Sequence, residues 1–199
     1  MRDQEFVEML AKRENFGCAM EVSRAIEDVK LYLQQKFWKH VKSEFDKSLD
    51  DKGLGKQWKV EESIRPDNYD DYGNEPGIYF VSKQHKDTSN YIQCGVWYMN
   101  SRKIGYGICF SQRLSEGQFS IASLIDLRQK LKCKSARNFK DTDDWYVWKN
   151  VTDNDPMSDE FLYHAATDAQ DIAKQLSEEA IEIIEEHGDQ MLKVENDIS

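Results

Sequence analysis

The chain has 199 residues, a formal net charge of −10, and 39% hydrophobic, 12% aromatic and 32% charged residues, with ten glycines and three prolines. This composition excludes disordered, collagen-like and mucin-like chains and describes an ordered globular domain long enough to bury a sizeable core. No uncharged apolar run approaches the roughly 18 to 20 residues that span a bilayer. The start Met1-Arg2-Asp3-Gln4-Glu5 places acids where a signal peptide carries its apolar stretch. The expectation is a cytoplasmic protein with no membrane partner.

In chain order, residues 3 to 14 read as a short helix with Phe6, Val7 and Leu10 on its apolar side, stopping at Asn15-Phe16-Gly17. From Ala19, the residues Val22, Ile26, Val29, Leu33, Phe37, Val41 and Phe45 recur at steps of 4, 3, 4, 4, 4 and 4, one apolar stripe on a long helix. Asp50-Asp51-Lys52-Gly53-Leu54-Gly55 ends it. The period then changes to 2, and strands are predicted at 57–65, 77–84, 91–99 and 103–112. Ile92, Cys94, Val96 and Tyr98 share one face, as do Ile104, Tyr106, Ile108 and Phe110. The acidic segment 66–76 reads as an exposed connection, and Asn100-Ser101-Arg102 as a hairpin turn. A helix over 121–133 and a strand at Trp145-Tyr146-Val147-Trp148-Lys149 follow. Ser158 caps a final helix lined by Ala165, Ala169, Ile172, Leu176, Ala180 and Ile183 down to Gly188. The fold expected is a single α+β domain over 1–199: an antiparallel β-meander of about five strands packed against long N- and C-terminal helices. Residues 1–18 form a helical extension and 188–199 a frayed tail.

The charge is unevenly divided. Residues 141–199 hold seventeen acids and three bases, net −14, which leaves the first 140 residues with twenty acids and twenty-four bases, net +4. The acidic third reads as a solvated helix face, or as a surface offered to a basic partner in imitation of a nucleic acid. Its counterpart is Arg128, Lys130, Lys132, Lys134, Arg137 and Lys140, six bases with no acid among residues 127–140. Next to the aromatic run 145–148 they form a candidate binding site for a protein or nucleic-acid partner, although rings on alternate faces of a strand also suit core packing.

Catalytic signals are sparse. Cys18, Cys94, Cys109 and Cys133 form no CxxC pair, and His40, His85, His164 and His187 do not fall at zinc spacing with them, so neither a disulfide framework nor a structural zinc is expected. Cys94 and Cys109 lie within strand patterns and read as core. Asp143-Asp144 and Asp153/Asp155 are loop carboxylates better explained by solvation than by a cation. No nucleophile elbow, phosphate loop or metalloprotease motif occurs, and no cofactor is expected. Asp67, Gln84 and Lys86 could form a degenerate metal-nuclease set, in which a metal would activate water. That set would need the neutral Gln84 in place of a second acid.

One resemblance rests on feature order. Phe37-Trp38-Lys39-His40-Val41, the strand pair Gly77-Ile78-Tyr79-Phe80 and Tyr91 to Tyr98, Gly105-Tyr106-Gly107-Ile108, then Trp145-Tyr146-Val147-Trp148-Lys149 and a terminal helix occur in this order. Over about residues 19–187 the pattern resembles the region downstream of the nuclease core in some bacterial PD-(D/E)XK superfamily proteins. Those proteins carry their catalytic half ahead of this region, and here some eighteen residues precede it. The resemblance therefore implies a non-catalytic recognition module in nucleic-acid processing or phage–host conflict, with no family catalytic residue carried over. The alternatives are an acidic inhibitor that occupies the nucleic-acid site of a basic protein, using the 153–197 helix region, and the degenerate nuclease.

Overall fold

The computed structural model describes residues 4–63, 77–84, 91–99, 103–110, 121–134, 147–150 and 158–198. Two helices open the chain, α1 (Gln4–Ala11) and α2 (Arg13–Asp51), followed by a single 3-10 turn at Leu54–Lys56. Strands β1 (Trp58–Glu62), β2 (Gly77–Ser82), β3 (Ile92–Met99) and β4 (Lys103–Phe110) come next. Helix α3 (Ala122–Lys134), the short strand β5 (Val147–Asn150) and helices α4 (Asp159–Thr167) and α5 (Ala169–Ile198) complete the order. All strand pairs are antiparallel and neighbours in sequence are neighbours in the sheet, so the architecture is the α+β meander expected from the change of period.

The helix ends differ from the sequence reading at four glycines or polar residues, each for a local reason. The first break is at Lys12, whose backbone is extended (φ −64°, ψ 141°), and the Asn15 side-chain amide donates to the Met9 carbonyl at 2.9 Å, satisfying an end of α1. Helix α2 then runs straight through Gly17, the predicted stop, because no left-handed turn is imposed there and one glycine costs a helix only about 1 kcal/mol. An alanine at Gly17 would meet no atom within 4 Å. Gly17→Ala is therefore expected to raise unfolding stability by roughly 0.5–1 kcal/mol, read as a higher urea midpoint.

The stop at residues 50–55 is where it was expected. Gly53 adopts the left-handed conformation (φ 66°), and the Lys52 N–H donates to the Ser48 carbonyl at 3.1 Å. At the other end of the chain the predicted single helix is divided at Asp168. There the Thr167 hydroxyl lies 3.1 Å from the Tyr163 carbonyl oxygen and 2.9 Å from the Asp168 carboxylate, so its one proton has two acceptors to choose from and the turn a side-chain alternative to helical bonding. Ser158 caps α4 as read, accepting from the Phe161 N–H at 3.1 Å. Nor does α5 fray at Gly188. It continues to Ile198, and Gly188 is a notch for the Trp58 indole, where an added Cβ would lie 3.3 Å from the ring.

One face of the sheet carries the main core. The register aligns Val60, Phe80, Cys94 and Ile108 across four strands, with Ile78, Val96 and Tyr106 in the next row. These side chains join Phe37, Val41 and Phe45 of α2 and Leu176, Ala180, Ile184 and Met191 of α5 in one buried cluster. Phe45 stacks on Phe80 with centroids 4.5 Å apart, and Phe37 meets Phe161 of α4 edge-on at 5.3 Å. Between the two long helices, the Ser177 hydroxyl donates to the Glu44 carbonyl at 3.0 Å and lies 2.7 Å from that of Ser48, so a buried polar pair is satisfied.

The opposite face is glycine-rich and aromatic. Gly77 and Gly105 flank Trp97 in one row, and Gly95 sits between Tyr79 and Gly107 in the next. Tyr79 and Trp97 stack at 6.4 Å and are buried with Val81 and Cys109. The rings can lie close to the sheet because the positions beside them have no Cβ.

Candidate interaction surfaces

Among the described basic side chains, Arg128 and Lys130 do not share one face. Arg128, Lys130, Lys132 and Lys134 all lie on α3, but positions two apart on a helix are rotated by about 200°. Arg128 therefore falls on one flank of the buried row Leu124, Leu127 and Leu131, and Lys130 on the other. Lys130 donates to Asp126 at 2.8 Å one turn earlier, and Arg128 is half-buried. Arg137 and Lys140 lie outside the described residues, as do Trp145 and Tyr146. The backbone register of β5 pairs Trp148 with Gly107.

Of the nuclease set, Asp67 and Lys86 lie outside the described residues, and so do Asp143, Asp144, Asp153 and Asp155. Gln84 is exposed in the turn after β2, its N–H donating to the Ser82 hydroxyl at 3.0 Å. Among the described residues no group of three or more His, Cys, Asp or Glu is placed to hold a metal ion, and no helix is long and apolar enough to cross a membrane. Cys94 and Cys109 are buried on opposite faces of the sheet, as core residues, whereas Cys18 is exposed on α2.

Among the described residues, much of the acidic third lies on one ordered helix. On α5, nine acids accompany two bases. Leu176, Ala180, Ile184 and Met191 bury one side, and Glu178, Glu182, Glu185, Glu186 and Asp189 are exposed on the other. Two lysines reach it: Lys52 donates to Glu185 at 2.8 Å across from the end of α2, and Lys174 approaches Glu178 at 3.8 Å. The Glu185 hydrogen bond holds the Lys52 ammonium above its usual pKa. These are solvent-exposed pairs that contribute little to stability, so the face stays strongly anionic on a rigid support.

A third surface was not foreseen. The apolar stripe predicted on one long helix is continuous in sequence, yet every buried residue of α2 lies at Gln34 or beyond. Val22, Ile26 and Val29 are 59%, 50% and 55% exposed, with Phe16, Met20 and Tyr32 also open to solvent. The signal was present in the spacing. Ala19, Val22, Ile26, Val29 and Leu33 step by 3, 4, 3 and 4, whereas Leu33, Phe37, Val41 and Phe45 step by 4 throughout, and the change of step falls where burial begins. No family model, curated protein or solved structure matches this chain.

Proposed function

We propose that the chain is a non-catalytic interaction domain that binds a macromolecular partner, with the acidic face of α5 as the recognition surface. The partner of matching chemistry is a basic DNA- or RNA-binding protein, docking on carboxylates as it docks on a phosphate backbone. The observation that carries this reading is the exposure of Glu178, Glu182, Glu185, Glu186 and Asp189 along one side of a helix whose other side is locked into the core. Charges held on such a support attract an oppositely charged surface without reorganisation, and their summed field speeds encounter. The resemblance to accessory regions of the PD-(D/E)XK superfamily supports a nucleic-acid-processing or phage–host-conflict setting.

The test is retention of partners from a bacterial lysate on the immobilised chain at low and high salt, with a nuclease-treated arm in parallel. A basic protein is expected to remain after nuclease treatment and to be released by salt. Binding should weaken at least about tenfold when Glu178, Glu179, Glu182, Glu185 and Glu186 are all changed to Gln, since the attraction is electrostatic and screened. Undiminished retention by that variant would sink the reading. If nucleic acid is retained instead, and lost when Arg128, Lys130, Lys132 and Lys134 are changed to Ala, recognition belongs to α3.

A further inference from the structure

We infer that the exposed N-terminal half of α2 is a self-association surface, on which the same half of a second copy lies antiparallel. This goes beyond the acidic-face reading and does not depend on it. The first argument is period. Ala19, Val22, Ile26, Val29 and Leu33 follow the alternating 3–4 spacing that keeps an apolar seam facing one partner helix. From Leu33 onward the step is 4, and the stripe turns away to meet its own α4, α5 and sheet. The seam is therefore a continuation of the core stripe with a different periodicity, and it is uncovered: Val22, Ile26 and Val29 are each at least half exposed.

The second argument is charge. Along one flank of the seam, Glu14, Glu21 and Asp28 recur at steps of 7, and nearer the body Lys36 and Lys39 continue that flank. All five are exposed. An antiparallel pair with Ile26 opposite the second copy's Val29, and Leu33 opposite its Val22, sets the acidic end of each flank against the basic end of the other. The flank is thus self-complementary when the two copies run antiparallel. A membrane surface is disfavoured by the same residues, because 4–33 carry six acids against four bases and anionic headgroups attract the opposite balance.

The third argument is space. Phe161 of α4 sits on Phe37 and closes the body end of the stripe. Antiparallel copies keep their bodies at opposite ends of the paired helices, whereas parallel copies would bring both to the Phe37 end. In this register the exposed stretch from Val22 to Leu33 pairs with the same stretch of the second copy over about 18 Å. Phe16, Met20 and Tyr32 stand exposed beside the seam, and so short a contact falls at the low end for a specific association. A reversible dimer in the micromolar range is the corresponding expectation.

The experiment is sedimentation equilibrium on the purified full chain across a concentration series. The expected result is a reversible rise from 23.3 kDa to twice that mass. The Ile26→Asp, Val29→Asp double variant should associate roughly a hundredfold more weakly with the body's unfolding midpoint unchanged, because neither side chain is buried in one copy. Lys36→Glu should weaken association, and adding Glu21→Lys should restore it. Orientation is read by disulfide trapping with Cys18 and Cys133 changed to Ser. A mixture of the Leu33→Cys and Val22→Cys chains should cross-link, and Leu33→Cys alone should not, since its copies would lie about 16 Å apart along the axis. A chain that stays monomeric at every concentration, a double variant that dimerises like the parent, or trapping of Leu33→Cys with itself would each overturn the inference.

Discussion

Changing Gly95 to alanine is expected to lower unfolding stability by about 3 kcal/mol. Gly95 lies in β3 between Tyr79 of β2 and Gly107 of β4. A Cβ there would collide with the Ile78 carbonyl oxygen and come within 2.8 Å of the Tyr79 Cα. Both are backbone atoms of a paired strand, so no rotamer change can relieve the overlap. Relief requires β2 and β3 to separate, which weakens the ladder on which Phe80 and Cys94 are aligned above the helices. Urea unfolding would show a lower midpoint with an unchanged slope, in contrast to the rise expected for Gly17→Ala. A midpoint within error of the parent would show that the Tyr79–Gly95 approach is looser than described.

The second large effect has the opposite sign. Changing Glu178, Glu179, Glu182, Glu185 and Glu186 together to Gln is expected to stabilise the protein at low ionic strength by about 1–2 kcal/mol. These residues sit three and four apart on α5, where each like-charged pair costs about 0.2–0.5 kcal/mol. The lost pairs with Lys52 and Lys174 are exposed and offset only part of that relief. The gain should shrink as salt is added, because the repulsion it removes is screened. Measured on the same variant, higher stability with weaker binding to a basic protein would mean that α5 keeps an electrostatic cost for the sake of contact. A variant less stable than the parent at low salt would mean that the face is held together mainly by its ion pairs, and would remove that argument.

Much of the fold was legible because it depends on local patterns. Ile92, Cys94, Val96 and Ile104, Tyr106, Ile108 alternate with a period of two, and that fixes which residues share the helix-covered face. Ser158 was readable as a cap because its hydroxyl serves a donor three residues away, and Gly53 as a stop because a left-handed turn needs a residue without Cβ. The acidic character of α5 was also in the sequence, as a count of charges.

Glycine shows where local reading ends. Gly17, Gly95 and Gly188 look alike in sequence, since propensity registers only the missing side chain. One is a passive helix position, one admits a neighbouring strand with its ring, and one receives the Trp58 indole; the neighbour decides, and it comes from distant sequence in the last two cases. The basic run was misleading in a related way, because adjacency along the chain becomes opposition around a helix, and α3 divides Arg128 from Lys130. The sequence by itself determined the helices, the meander and the sign of each surface, which follow from periodicity and composition. Only the tertiary structure decided that the α2 stripe is buried from Phe37 and open before Leu33, because burial depends on where α4, α5 and the sheet come to lie.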